Sequence, residues 1–277
     1  MTMIDTSVGP AAVLHRLALA VEVVDPLTDR LAVTPLRAGR ELLRRTPTTD
    51  RHWPCVPLDS GGPARFKLRH QRPLPKRVVV RLDDPARRYV PRRLRIALWP
   101  VLQLDQGPAQ PYVTTAHRLL RAWLWPGAAL TLPAGSTVVR GRVVRQEGVA
   151  RWVRVVARDQ VGRIVGRAHG DDRGEFVLVV SDQTANPLPT VLSLTLRIHA
   201  RGQAPLPDPL DPCADLLVER IRRSAAPPAA PVLDSPRLRG TRVPKPYVAN
   251  ARPDTPVDVP TGTEVVLPDE LLFVPTP

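Results

Sequence analysis

The chain has 277 residues, 43% of them hydrophobic and 4% aromatic, with 34 prolines against 16 glycines; this length suits two compact cores, and such a Pro content excludes a helical bundle in favour of short strands joined by loops. Forty Lys and Arg against 26 Asp and Glu leave a formal net charge of +14, a field that attracts phosphate, anionic lipid or acidic protein. Almost all of the basic residues are Arg, with Lys only at Lys67, Lys76 and Lys245; they are spread along the chain, as GC-rich coding would produce, rather than clustered as in a nucleic-acid patch, and the densest runs are Arg87-Arg88, Arg92-Arg93-Leu94-Arg95 and Arg220-Arg222-Arg223.

The N-terminus has no basic segment followed by a continuous apolar stretch, so it does not read as a secretion signal. No run of 18 apolar residues is present to cross a bilayer, and a soluble protein, cytoplasmic at synthesis, is expected. The first strand is Leu17 to Val23, where Leu17, Leu19, Val21 and Val23 share one side and Glu22 takes the other. Asp25-Pro26-Leu27-Thr28-Asp29-Arg30 is a turn, since Pro presets φ and the Asp side chains can bond nearby amides. Weaker strand patterns follow at Leu36 to Leu43 and Phe66 to Leu68, and stronger ones at Arg77 to Leu82 and Arg93 to Leu98. In the last, Arg93 and Arg95 fall on one face, expected to be solvated, and Leu94, Ile96 and Leu98 on the other.

Between Pro100 and Pro133 the pattern breaks into a linker with one strand or hairpin. Trp99, Trp123 and Trp125 lie in and beside it, and large aromatics at such a junction are expected to pack two units together, or to offer a stacking platform for sugar. Strands resume at Val138 to Val144, Trp152 to Ala157, Arg163 to Ala168 and Glu175 to Val180, separated by Gly- and Asp-containing turns. Leu192, Leu194, Leu196 and Ile198 then alternate against Ser193, Thr195, Arg197 and His199, the cleanest period of two in the chain. From Pro205 to Pro212 the backbone is stiff and extended. Asp211-Pro212 reads as an N-cap and first helical residue, predicting one short helix over 212–223. Pro-rich sequence from Pro244 onward carries a strand-like Glu264 to Leu267 and an apolar end at Leu271, Leu272, Phe273 and Val274, which is expected to dock.

Residues Val138 to Val180 resemble the carboxypeptidase regulatory-like domain, a transthyretin-like β-sandwich, through Val139-Arg140-Gly141-Arg142-Val143 and Asp171-Asp172-Arg173-Gly174-Glu175-Phe176. Asp171, Gly174 and Phe176 match that family's Asp-x-x-Gly-x-Phe turn, which defines the fold and carries no catalysis. The expected fold class is therefore all-β: two successive antiparallel β-sandwich domains at 14–99 and 136–200, a linker or hairpin at 100–135, and a Pro-rich C-terminal extension at 201–277 containing the short helix. Modules of this kind with such an extension are similar to accessory components of phage-tail-like contractile injection systems.

The residues fit a binding protein rather than an enzyme. None of His15, His52, His70, His117, His169 or His199 begins a His-x-x-Glu pair, so the zinc peptidase that often accompanies a regulatory-like module is not expected. His169 with Asp171 and Asp172 is the one local group of metal-ligating types, and a structural turn accounts for it better. No nucleophile elbow, phosphate-binding loop or dinucleotide fingerprint occurs, and Cys55 and Cys213 read as reduced thiols far from any zinc spacing. No cofactor and no metal are expected. The functional expectation is a non-enzymatic structural component of a multi-protein assembly, such as a phage-tail-like contractile injection particle, with the sandwiches as rigid spacers, the Pro-rich C-terminal tail lacing onto a neighbouring subunit, and Trp99, Trp123, Trp125, Leu271, Leu272 and Phe273 as candidate interface residues. Other protein subunits are the expected partners; a carbohydrate- or receptor-binding module is the alternative, and nucleic acid ranks below both.

Overall fold

The computed structural model describes residues 16–276 apart from 34, 43–49, 51, 71–73, 105–111, 181–189, 205, 225, 229, 231 and 233. The expected first residue of the N-terminal unit at 14, together with Leu43 and Pro205, lies outside the described residues. The first stretch forms β1 (Leu17–Asp25), β2 (Arg30–Leu31), β3 (Arg37–Glu41), β4 (Cys55–Pro57), β5 (Asp59–Ser60), β6 (Arg65–Arg69), β7 (Arg77–Asp83), β8 (Arg92–Ala97) and β9 (Leu119–Trp123). There follow β10 (Val138–Arg145), β11 (Gly148–Val149), β12 (Arg154–Arg158), β13 (Ile164–His169), β14 (Glu175–Val180) and β15 (Val191–Arg201). The remainder supplies β16 (Val218–Ile221), β17 (Tyr247–Ala249), β18 (Thr255–Pro260), β19 (Glu264–Val266) and β20 (Leu271–Leu272). The protein is all-β; its helical content among the described residues is two short 3-10 turns.

Two five-stranded sheets share one core. The first runs β2-β1-β6-β5 with β9 on the other side of β1, and the second runs β16-β8-β7-β3-β4. Leu19, Val21 and Val23 of β1 and Ala122 of β9 meet Val78, Val80 and Leu82 of β7 and Leu94 and Ile96 of β8, so the alternation in each strand sends its branched residues to a common interior. The third sheet, ten-stranded, runs β11-β10-β14-β13-β12-β15-β17, with β18 also on β15 and β19 and β20 on β10. It closes around its own core of Val139, Val143, Val155, Phe176, Leu178, Leu196, Ile198 and their neighbours.

Three expectations need correction. The sheets are not purely antiparallel: β9 lies parallel to β1, β16 to β8, and β19 and β20 to β10. Each of these four strands returns from a distant part of the chain, which is the connection a parallel pair requires. The extension is not an appendage, because β16 completes the second sheet and β17 to β20 build the third. The helix expected over 212–223 does not form; turns occupy 212–215 and β16 occupies Val218–Ile221. Its would-be helical carbonyls are taken by an arginine instead, since Arg93 Nη1 donates to the carbonyls of Ala214 at 2.8 Å and Leu216 at 2.7 Å. Tertiary contacts of this strength outweigh a helix preference of a few tenths of a kcal/mol per residue.

Candidate binding site: an ionic junction and a basic groove

Three acids spaced four residues apart, Asp211, Asp215 and Glu219, organise the segment that threads between the two cores. Each is clasped by a different arginine. Arg81 of β7 donates from Nη1 and Nη2 to the two Asp211 oxygens at 2.7 and 3.0 Å, while its Nε reaches Glu41 at 3.0 Å. Arg151, just before β12, donates from Nε and Nη2 to Asp215 at 2.6 and 3.0 Å, and the Trp152 indole donates to the same carboxylate at 2.9 Å. Arg92 of β8 makes a two-pronged contact with Glu219 at 3.0 and 2.9 Å. The planar fork of a guanidinium fits both oxygens of a carboxylate at once, and pairs of this geometry fix orientation as well as contributing energy.

The junction is dry. Arg81 and Arg92 are each 1% exposed and Arg154 is 5% exposed. Glu41 also accepts from Arg93 at 2.6 and 2.8 Å, so Arg93, expected to be solvated, is half-buried and held in an ion pair. Glu219 has to serve two cations, because Arg154 Nη2 lies 3.7 Å from it; burial and the neighbouring Arg92 hold the Arg154 pKa below its ordinary value, against the opposing pull of Tyr247 and Glu219. An apolar seam of Val90, Trp152 and Leu216 runs beside these charges, and the Tyr247 hydroxyl donates to the Trp152 carbonyl at 2.7 Å. Burial pushes the thiols of Cys55 and Cys213, both close to Arg81, up to about 12, so neither is a thiolate near neutral pH.

His169 closes the junction from the third sheet. Its ring stacks on Trp125 with centroids 5.1 Å apart, and its Nε2 lies 3.0 Å from the Gly240 carbonyl oxygen. Burial, then the charges of Arg154 and Arg92, depress its pKa well below 6.5. Gly240 has φ +70, and a Cβ there would sit 2.8 Å from the His169 ring, so only glycine brings the backbone this close. Asp171 and Asp172 face elsewhere: Asp171 Oδ1 accepts from the amides of Arg173 and Glu175 at 2.8 and 3.0 Å, and Asp172 pairs with Arg87 at 3.0 Å. Among the described residues no group of three or more His, Cys, Asp and Glu side chains is placed to hold a metal.

Gly174 adopts φ +72 in the turn that Asp171 caps, and Phe176 is 1% exposed in the third sheet's core. Trp125 bridges the two cores through His169. Trp123 neighbours it at 6.2 Å under the Arg239 guanidinium. Trp99 packs apart from the junction with Leu104 and Val113, beneath Arg223. None of the five tryptophans is exposed. Leu271 and Phe273 are buried in the chain's own core, Leu272 is half-buried beside them, and the Phe273 amide donates to Val144 at 2.8 Å.

Beside the junction, the outer face of β8 and β16 opens into a groove of about 600 Å3. Arg93 and Arg95 stand opposite Val218 and Arg220 in the parallel register, and Arg201, Arg222, Arg237, Arg242 and Lys245 join them. Eight basic side chains thus line it with a single carboxylate, Glu219, which Arg92 already occupies. Like charges facing each other across strands, as at Arg95 and Arg220, are destabilising unless an anion lies between them.

Sequence reasoning missed the junction acids because their spacing of four imitates a helix. One signal was present: alternation places Arg92 on the inward face with Leu94 and Ile96, and an inward arginine requires a buried acid. Two arginine runs announced the groove, since Arg93 and Arg95 of the first and Arg220 and Arg222 of the second line it; that β8 and β16 pair side by side, and that Arg201, Arg237, Arg242 and Lys245 join them, was not legible.

Among the described residues no helix is long and apolar enough to cross a membrane. No family model matches the chain, and no curated protein matches it. Among solved structures, the shaft pilin SpaA of Lactobacillus rhamnosus GG is similar at 10% identity over 95% of this chain and 100% of that one, with a TM-score of 0.23. A leucine-rich repeat protein of Bacteroides thetaiotaomicron is similar at 11% identity over 94% of this chain and 27% of that one, with a TM-score of 0.20. Scores this low carry no argument about fold or function.

Proposed function

We propose that the chain is a non-enzymatic structural component of a multi-protein assembly, in which two β-sandwich modules, the second of the carboxypeptidase regulatory-like kind, act as one rigid strut. The observation that carries this reading is the clasp of Asp211, Asp215 and Glu219 by Arg81, Arg151 and Arg92. A flexible linker would leave the two cores free to reorient; a buried, bidentate set of contacts from both sides holds one angle between them. A rigid spacer is what a particle built by repeated docking requires, and a phage-tail-like contractile injection particle is the setting that the resemblance suggests.

The C-terminal residues are engaged in their own sheet, so they are not the segment that laces onto a neighbour. Surface strands and the basic groove are left for that role. The carbohydrate-binding alternative would need a tryptophan platform in solvent, and none of the five is exposed. The test is sedimentation of the native protein from clarified lysate at low and high salt with nuclease present. Pelleting with large particles under both conditions is the expected result; a monomer that remains in the supernatant at both salt concentrations refutes the reading.

A further inference from the structure

We propose that the basic groove receives an extended acidic segment of a partner protein, added as a strand along β16. This deepens the assembly reading and rests on it. Strand β16 ends its sheet, paired with β8 on one side and with no strand on the other among the described residues, and the groove runs along it. Edge strands of this kind accept an extended chain through main-chain hydrogen bonds, and flanking side chains select its sequence. Here the selection is for negative charge. The side chains of Arg95, Arg201, Arg220, Arg222, Arg242 and Lys245 have no carboxylate partner among the described residues, and four of these six, Arg220, Arg222, Arg242 and Lys245, are exposed.

Leu217, Val218, Val243 and Pro244 supply apolar surface between the charges, so the ligand is an alternating acidic and apolar strand. The four residues of β16 offer roughly 13 Å of edge at about 3.3 Å per residue, enough for about four partner residues. Single-stranded nucleic acid fits less well, because no aromatic side chain lines the groove and base stacking is the usual source of affinity for such strands.

The experiment uses the full chain and a fluorescein-labelled octapeptide of Glu-Val repeats, read by fluorescence anisotropy. A Lys-Val octapeptide, the Glu-Val peptide N-methylated at alternate residues, and an oligothymidylate of equal length serve as comparisons. Saturable binding of the Glu-Val peptide is expected, weakened roughly tenfold by N-methylation and by Arg220→Gln with Arg222→Gln, two exposed positions where folding is unaffected. Arg220→Lys with Arg222→Lys is expected to retain binding. Equal binding of the N-methylated peptide, or tighter binding of the oligothymidylate, overturns the proposal. Absence of peptide binding by a chain that still pellets with particles overturns the groove and spares the assembly reading; binding by a chain that never pellets supports the groove and removes the assembly.

Discussion

Gly174 offers the sharpest test of the turn that closes the third sheet. Its φ is +72, and a Cβ would lie 2.4 Å from the Val143 carbonyl oxygen, inside the distance real Cβ atoms keep, and a tight 3.1 Å from that of Ala150. The backbone cannot retreat freely, because the Gly174 carbonyl accepts from Val143 at 2.9 Å and its amide donates to Asp171 at 3.2 Å. Gly174→Ala therefore incurs left-handed strain of about 1–2 kcal/mol and overpacking of about 1–3 kcal/mol, roughly 2–5 kcal/mol in all. Gly162 separates the two costs: its φ is +82, with nothing within 4 Å of a Cβ, so Gly162→Ala carries only the strain, about 1–2 kcal/mol. Urea unfolding of both variants, followed by circular dichroism, measures the difference. If Gly174→Ala is no more damaging than Gly162→Ala, the close approach to Val143 is wrong and so is the reasoning built on it.

Glu219→Gln leaves Arg92 and Arg154 buried without a countercharge and is expected to cost about 3–5 kcal/mol, whereas Glu264→Gln, which loses a partly exposed pair with Arg140, should cost about 1 kcal/mol or less; equal midpoints in denaturant would contradict the junction. Phe273→Ala should cost about 3–5 kcal/mol, measured by thermal unfolding, because the ring is 1% exposed in the core; a wild-type melting temperature would mean that the C-terminal strands are not integral. His169 is held neutral, with its pKa below the unfolded value near 6.5, so its contribution is present above that pH and is lost as pH falls, by up to about 1.4 kcal/mol per unit. His199 shifts in the same direction, so the quantity to read is the difference in slope between wild type and His169→Gln; identical slopes would show that His169 is not in a dry, cationic site.

The strands were legible wherever one face met a core and the other met water. Leu192 to Ile198 alternates cleanly, and β15 spans Val191–Arg201; the Asp171 to Phe176 stretch likewise announced a turn followed by an inward aromatic. The pairing partners were not legible, because strands β16 to β20 run from two to six residues and segments so short carry no periodicity that says where they will dock. The helix prediction failed for a related reason. Asp211, Asp215 and Glu219 at intervals of four satisfy a helical face and a set of tertiary clasps equally well, and only the positions of Arg81, Arg151 and Arg92 in space distinguish them. The expected interface was half displaced: Trp125 does reach across to His169, but Trp152, which lies in the seam, carried no mark in its own sequence neighbourhood.

The parallel strands that return from far along the chain set a constraint on how the protein is made. The second sheet lacks its edge until residues 218–221 have been synthesised, and the third core lacks Phe273 until nearly the whole described sequence has emerged. Contacts between such distant residues must wait for loop closure, which slows folding and leaves apolar strand edges open meanwhile. Neither unit can finish early and serve as a platform for the other, so the nascent chain is expected to depend on chaperone protection throughout translation, and to acquire both cores in one late, concerted step.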